Sequence, residues 1–260
     1  MSSHAQALSI VAPVAPRELS VPLGAAPVPI TDYHQLTVIV PTLNEAGNIG
    51  ELLDYLIRHY PGIQVLVADD DSTDNTREEV MARARFNSRV RLVWRRGGVR
   101  GLTASVLDAL NQVFTEYFAV MDGDLQHPPE TVETLLSVLA RGYPLAVATR
   151  RRFKVPPHRW LISKVATLMG RFRLWWSGSP NCTDCMSGYF AGRTALFRRV
   201  IRNQEGGFET QGYKVLFDLL KQLPRSTPVV EVAYEFDPRQ RGQSKISLRI
   251  MLIYFRSLFH

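Results

Sequence analysis

From Leu36 onward, short apolar runs alternate with stretches of helical periodicity, and almost every apolar run stops at a cluster of polar residues. Leu36-Thr37-Val38-Ile39-Val40 closes at Pro41, and Ile49, Leu52, Leu53, Leu56 and Ile57 then give helical spacing across residues 44–60. Ile63 to Ala68 reads as a second strand, followed by Asp69-Asp70-Asp71-Ser72-Thr73-Asp74, whose last residue can cap a helix through Thr76 and Val80. Val90 to Trp94, a helix over Leu102 to Val113, and the strand Tyr117-Phe118-Ala119-Val120-Met121 continue the pattern. This alternation predicts an α/β fold: a mostly parallel sheet with right-handed crossovers, flanked by helices. The ligand site of such a sheet lies beyond the carboxyl ends of its strands. With 260 residues, 45% of them hydrophobic, the chain can bury a substantial core.

Four strand ends carry chemistry. Asp122-Gly123-Asp124-Leu125-Gln126-His127 follows the fourth strand, and Asp122 and Asp124, two apart, point the same way if the extended geometry persists. Gln126 adds a third oxygen, and a small set of hard oxygen ligands favours Mg²⁺ or Mn²⁺ held partly by substrate phosphates. Gly123 removes a side chain where a ligand would approach closely. Taken singly, Asp-Gly-Asp also reads as a polar turn, and Asp69 to Asp74 as a solvated helix cap. Together with Pro41-Thr42-Leu43-Asn44-Glu45 and Arg95-Arg96-Gly97-Gly98-Val99-Arg100-Gly101, they converge on one crevice. Carboxylates there can accept from a nucleobase or ribose, while Arg100 and the glycine-rich turn can meet phosphates. The combination predicts a nucleoside diphosphate site with a divalent cation.

The formal charge of +7 suits anionic partners: nucleic acid, phosphorylated substrates or an anionic membrane surface. Nucleic acid fits least, because the basic residues interleave with an apolar helical face and no reading motif is present. Cys182 and Cys185 stand in C-x-x-C spacing without a second pair, so they read as ordinary thiols rather than a disulfide framework or a structural zinc site. Residues 1–34 are rich in Pro and Ala, with Pro13, Pro16, Pro22, Pro27 and Pro29, and read as a disordered tail rather than a signal peptide. No apolar run reaches the length of a spanning helix.

In the second half, Pro128-Pro129 starts a helix over Glu130 to Leu139, and Leu145 to Ala148 is a strand leading into Thr149-Arg150-Arg151-Arg152. Between Trp160 and Trp176, Leu161, Val165, Leu168, Met169, Phe172 and Trp176 share one helical face. Arg159, Lys164, Arg171 and Arg173 lie at its margins. Such a helix, about 158–176, suits either a membrane interface or a core with one solvated face. Gly212 to Leu223 reads as a helix and Val229 to Ala233 as a strand. Residues 246–260 form an apolar segment with Arg249 and Arg256, too short to span a membrane but long enough to lie in its interface.

Val40-Pro41-Thr42-Leu43-Asn44-Glu45, Asp69 to Asp74, Gly101-Leu102-Thr103-Ala104-Ser105 and Asp122 to Pro128, in that order, resemble glycosyltransferase family 2, with its GT-A fold. The similarity runs from about Leu36 to Lys245 and is greatest to the dolichol-phosphate mannose synthase group, which moves a sugar from a nucleotide sugar to a polyprenyl phosphate. It implies a catalytic domain over residues 35–245. Pro41, Asn44, Glu45, Asp69, Asp70 and Arg100 become contacts to the donor nucleotide, and Asp122, Asp124 and Gln126 the metal set on the diphosphate. Asp184 and Ser187 resemble the stretch flanking the acceptor pocket, and Arg239-Gln240-Arg241-Gly242-Gln243-Ser244-Lys245 resembles a phosphate-clamping segment. Arg150 and Arg239 are then the residues that hold the acceptor phosphate. The implied reaction is inverting transfer of a hexose, foremost mannose from GDP-mannose, to a dolichyl-type monophosphate on the cytoplasmic side of a membrane. The rivals are a UDP-sugar donor such as UDP-glucose, or a nucleotide-binding membrane scaffold. Leu43, Asp71 and Thr103 depart from the family pattern in the loops expected to read the base. Many relatives continue into membrane helices, so the implied association is peripheral or through a separate membrane-anchoring subunit.

Overall fold

A computed structural model describes residues 32–150, 157–203, 207–235, 253 and 256–258, together with the backbone of 19–21; side chains of 157–162 are not described. Among the described residues, eight strands form one sheet: β1 (Leu19–Val21), β2 (Leu36–Thr42), β3 (Gln64–Asp69), β4 (Val90–Trp94), β5 (Tyr117–Val120), β6 (Leu145–Arg150), β7 (Phe190–Arg193) and β8 (Val229–Tyr234), in the order β1-β8-β6-β7-β5-β2-β3-β4. All neighbours are parallel except β7, which runs antiparallel between β5 and β6. The helices are α1 (Ile49–His59), α2 (Thr76–Ala84), α3 (Leu102–Leu110), α4 (Thr131–Ala140), α5 (Pro157–Trp176), α6 (Thr194–Asn203) and α7 (Val215–Gln222).

Period-two alternation divides the apolar strand residues between two cores. Val38, Val40, Val65, Val67, Ala119 and Met121 pack with α1, α2 and α4. Ile39, Leu66, Ala68, Phe118 and Val120 face the other way, against α3, α6 and α7. The result is the three-layer α/β sandwich expected from the sequence. Helix boundaries are tighter than periodicity suggested, because polar loops claim the first turns: α1 begins at Ile49 rather than Asn44, and α7 at Val215 rather than Gly212.

Three elements escaped the sequence reading. Strand β7 has only four residues, one of them Gly192, and merged with the preceding loop; a Cβ on Gly192 would lie 2.5 Å from the Phe197 ring, so the glycine lets α6 close on the sheet. Helix α6, with Phe197 and Val200 buried, went unassigned. Leu19–Val21, inside the stretch expected to be a tail, pairs with Val230–Val232 as an edge strand.

The site is prepared by a break between β2 and β5. Their ladder ends at Ile39 opposite Val120, with Met121 N–H still donating to the Ile39 carbonyl at 3.1 Å. Residues two apart share a strand edge, so Pro41 faces β5 with no N–H to give, and the strands part there. Gly123 enters this gap, its Cβ direction 3.3 Å from Val40 Cγ1 and 3.4 Å from Thr42 Cγ2.

Candidate active site

The first two loops brace each other. Asn44 sits at φ 55°, a left-handed position that asparagine tolerates, donates its N–H to Ser72 Oγ at 2.9 Å and accepts from Thr73 N–H at 2.8 Å. Glu45 N–H donates to Thr76 Oγ1 at 2.8 Å, and its carboxylate accepts from Asn48 Nδ2 at 3.2 Å. Asp74, expected to cap α2, lies one residue before its N-cap Asn75, and accepts from Thr76 N–H and from Ala46 N–H.

Asp69, assigned from the resemblance to the nucleoside, is fully buried. Its Oδ1 accepts from Ser72 N–H and its Oδ2 from the hydroxyls of Thr42 and Ser72. It acts here as the rivet between the two loops, since a buried carboxylate is stable only when its lone pairs are met. Asp70 pairs with Arg95 and accepts from Gly101 N–H; burial raises its pKa against the pull of Arg95. Arg95 also reaches Asp108 at 2.7 Å and the Val99 carbonyl at 2.9 Å, so it, rather than Arg100, organises the glycine-rich loop. Arg100 lies more exposed and pairs with Asp71, one of the departures noted above. Asp71 also accepts from Trp94 Nε1.

At the end of β5 the chain folds into a tight turn with Leu125 at φ 61°. Asp124 is 4% exposed and its Oδ1 accepts from Gln126 N–H at 3.2 Å. Asp122 N–H donates to His127 Nδ1 at 3.1 Å, which fixes the ring as an acceptor there and puts its proton on Nε2. Burial lowers the His127 pKa against the pull of Asp122 and Asp124. Asp122, Asp124 and Gln126 offer oxygen donors only. Among the described residues no group of three or more His, Cys, Asp or Glu side chains is placed to hold a metal ion by itself. Gly188 fits the same picture: a Cβ there would press within 3.3 Å of Asp122 Oδ2, so the glycine keeps a cradle beside that carboxylate. The donor set suits a hard divalent cation.

Across Gly188 lies the second half of the site. Arg150, at the end of β6, makes a two-pronged pair with Asp184: Nε to Oδ2 at 2.8 Å and Nη2 to Oδ1 at 3.0 Å. Burial alone would raise the Asp184 carboxyl, but the charge and hydrogen bonds of Arg150 hold it below the usual range. Lys214, which no motif marked, is a further cation here. It opens α7, donates to the Met186 carbonyl at 2.9 Å, and has its pKa pushed down to about 8 by burial and by Arg150, against the pull of Asp184 and Asp122. Ser187, assigned from the resemblance to the acceptor, donates to the Ala148 carbonyl at 2.7 Å and accepts from Tyr189 N–H at 3.1 Å. There it bridges the backbone groups where β6 and β7 diverge. Cys182 and Cys185 are buried free thiols with raised pKa values, consistent with a packing role. Arg239, Ser244 and Lys245 lie outside the described residues, as does most of 246–260.

The model of the family described as glycosyl transferase family 2 matches residues 37–201, well over half of the chain and all but the last of the site elements above. The chain belongs to that family. Among its curated relatives, the dolichol-phosphate mannosyltransferase of Pyrococcus furiosus is 33% identical over 233 residues, covering 86% of this chain and 63% of that protein. The chain thus spans less than two thirds of the archaeal relative's length. The dolichol-phosphate mannosyltransferase of Saccharomyces cerevisiae is 31% identical over 243 residues, covering 86% of this chain and 85% of its own. Among solved structures, glucosyl-3-phosphoglycerate synthase from Mycobacterium tuberculosis, in complex with Mn²⁺, uridine-diphosphate and phosphoglyceric acid, superposes with a TM-score of 0.67 at 19% identity. That match covers 94% of this chain and 87% of that one. The likeness establishes the GT-A fold of this glycosyl transferase family 2 member.

Proposed function

We propose that the chain is the catalytic domain of a polyprenyl-phosphate mannosyltransferase, moving mannose from GDP-mannose to a dolichyl-type monophosphate with inversion. The observation that carries this reading is the meeting, across Gly188, of an all-oxygen carboxylate set with a buried Arg150, Asp184 and Lys214 cluster. One half suits the donor diphosphate and the other an anionic acceptor, and the mannosyltransferase relatives favour this pairing of substrates.

Asp122, Asp124 and Gln126 would hold Mg²⁺ or Mn²⁺, which supplies positive charge to the departing diphosphate. Pro41, Asn44, Glu45 and Asp70 line the donor end. Arg150, oriented by Asp184, would bind the acceptor phosphate together with Arg239, Ser244 and Lys245. A phosphate oxygen attacks the anomeric carbon, the bond to the diphosphate oxygen breaks, and the diphosphate leaves with the electron pair. A phosphate monoester is already anionic near neutral pH, so no side chain has to remove a proton first. The residues contribute alignment of nucleophile and anomeric carbon.

The test is a donor panel. Purified protein is incubated with radiolabelled GDP-mannose or UDP-glucose, polyprenyl phosphate and Mn²⁺, and a metal-dependent lipid product is expected from GDP-mannose. Product from UDP-glucose alone would replace the donor, and no product from either would leave a nucleotide-binding scaffold.

Helix α5 supports a membrane-surface location. Its outer face presents Val165, Leu168, Phe172, Trp175 and Trp176, the last three 58%, 63% and 74% exposed, whereas Met169 and Leu174 turn inward to the core. No helix among the described residues is long and apolar enough to cross a membrane. An exposed cluster of Phe172, Trp175 and Trp176 suits the headgroup level of a membrane. In liposome flotation with anionic vesicles, W175A/W176A is expected to lower bound protein about tenfold or more. Equal flotation of the variant would remove α5 from the membrane, and a wild-type protein that stays unbound would favour an anchoring subunit.

A further inference from the structure

The feature left without a task is His127, the imidazole at the end of the Asp122–Gln126 turn. We propose that His127 is the positioning residue that closes this turn and so aims Asp122 and Asp124 at their cation, an inference that rests on the cation reading above.

The need for such a residue comes from the backbone. Met121 N–H is the last donor of β5 to find a sheet acceptor, and Pro41 marks where the neighbouring strand diverges. Asp122 N–H comes next, and a backbone donor removed from water requires an acceptor. His127 Nδ1 supplies it at 3.1 Å, joining the two ends of the turn by a side chain where a hairpin would use a carbonyl. Leu125 at φ 61° makes the reversal that allows the ring to return, and the Asp124 Oδ1 contact with Gln126 N–H tightens the bend between them.

The ring has little freedom to do anything else. It is 4% exposed, stacks on Tyr189 with centroids 4.9 Å apart at 19°, and meets Tyr234 edge-on at 5.9 Å. The Tyr189 hydroxyl donates to the Pro128 carbonyl at 3.1 Å and the Tyr60 hydroxyl to the Pro129 carbonyl at 3.0 Å, so the chain on the far side of the ring is pinned as well. Nε2, which carries the proton, lies 3.8 Å from Asp122 Oδ2. One rigid group therefore holds the Asp122 backbone and lies beside its carboxylate. The competing view is that His127 is an aromatic filler between two tyrosines, in which case any flat ring would serve.

Two substitutions separate these. His127→Phe keeps the stack and removes the acceptor; His127→Asn gives up the ring but places an oxygen where Nδ1 stood. Two readouts are taken: Mn²⁺ affinity in the presence of GDP, by electron paramagnetic resonance of the free ion, and hydrogen exchange of the Asp122 amide. H127F is expected to speed that exchange and weaken Mn²⁺ binding about tenfold or more, with H127N recovering most of both. Unchanged exchange in H127F, or faster exchange with wild-type Mn²⁺ affinity, overturns the proposal, as does an H127N variant no better than H127F. If the wild type binds no Mn²⁺ and D124N matches it, the cation reading has failed, and the exchange measurement still tests closure of the turn. Should H127F not fold, H127Q makes the same comparison, because its amide reaches the Nε2 position and leaves Asp122 N–H without an acceptor.

Discussion

Asp124→Asn is expected to lower transfer of sugar to lipid phosphate by about 10²–10³-fold or more while the protein keeps its fold. The change is isosteric. The new side-chain amide would retain the Oδ1 acceptor that Asp124 offers to Gln126 N–H at 3.2 Å, so the turn loses no described backbone contact. What it loses is one of the two negative charges at the end of β5. Asp122 and Asp124 would hold a divalent cation that would supply positive charge beside a leaving diphosphate, and halving the carboxylate count would weaken its retention. The measurement is initial rate against Mn²⁺ concentration, with melting temperature as the control. Full activity at ordinary Mn²⁺ would sink the assignment, whereas recovery at high Mn²⁺ would confirm that affinity was the quantity lost.

The second large effect is on stability. Asp184→Ala is expected to destabilise the protein by about 3–5 kcal/mol, a fall in melting temperature of roughly 10 °C or more. Asp184 is the anion between two largely buried cations, Arg150 and Lys214, and its removal leaves both without it in a poorly solvated space. Removing Arg150 as well, in R150M/D184A, should recover part of the loss, since an apolar pair is cheaper than an uncompensated charge. Acid gives an independent check. The Asp184 pKa is lower folded than unfolded, so its contribution is complete above the unfolded value of about 3.9 and fades as pH falls through the folded one. The wild type should therefore lose more stability than D184A on acidification below about pH 4. A D184A protein that melts like the wild type at neutral pH would show that the pair contributes nothing.

Much of this architecture was written in local pattern. The alternation from Leu36 onward specified a layered α/β fold, and the polar residues that stop the apolar runs marked the strand ends at which the candidate site lies. The grouping of Asp122, Asp124 and Gln126 in one turn was legible because they are near neighbours in the chain. Arg150 and Asp184 were each named, but their pairing was not, since 34 residues, helix α5 among them, separate the two. Asp69 and Ser187 also have a bracing role that no motif announced: both bond neighbouring backbone and hydroxyl groups, a demand that arises only when loops are buried. Lys214 was missed because its significance is its burial. One local cue did exist, for a lysine at the start of the apolar helix Val215–Gln222 puts a cation at the unfavourable end of the helix dipole, which is reason to look for an anion nearby.

The antiparallel strand β7 also governs how the chain can be assembled. During synthesis β2 to β5 emerge first and can pair among themselves, but the partner for the outer edge of β5, Tyr117–Val120, is Phe190–Arg193, some seventy residues later. Until it arrives, four apolar residues present unpaired backbone to their surroundings, the arrangement most prone to mispairing between chains. Strands β6 and β8 join the sheet through β7, and β1 can pair only after β8. Bringing the β6 side of the candidate site to the β5 side and sealing the aggregation-prone edge both await β7, so a defect in the short segment around Gly192 is expected to show first as insoluble nascent protein.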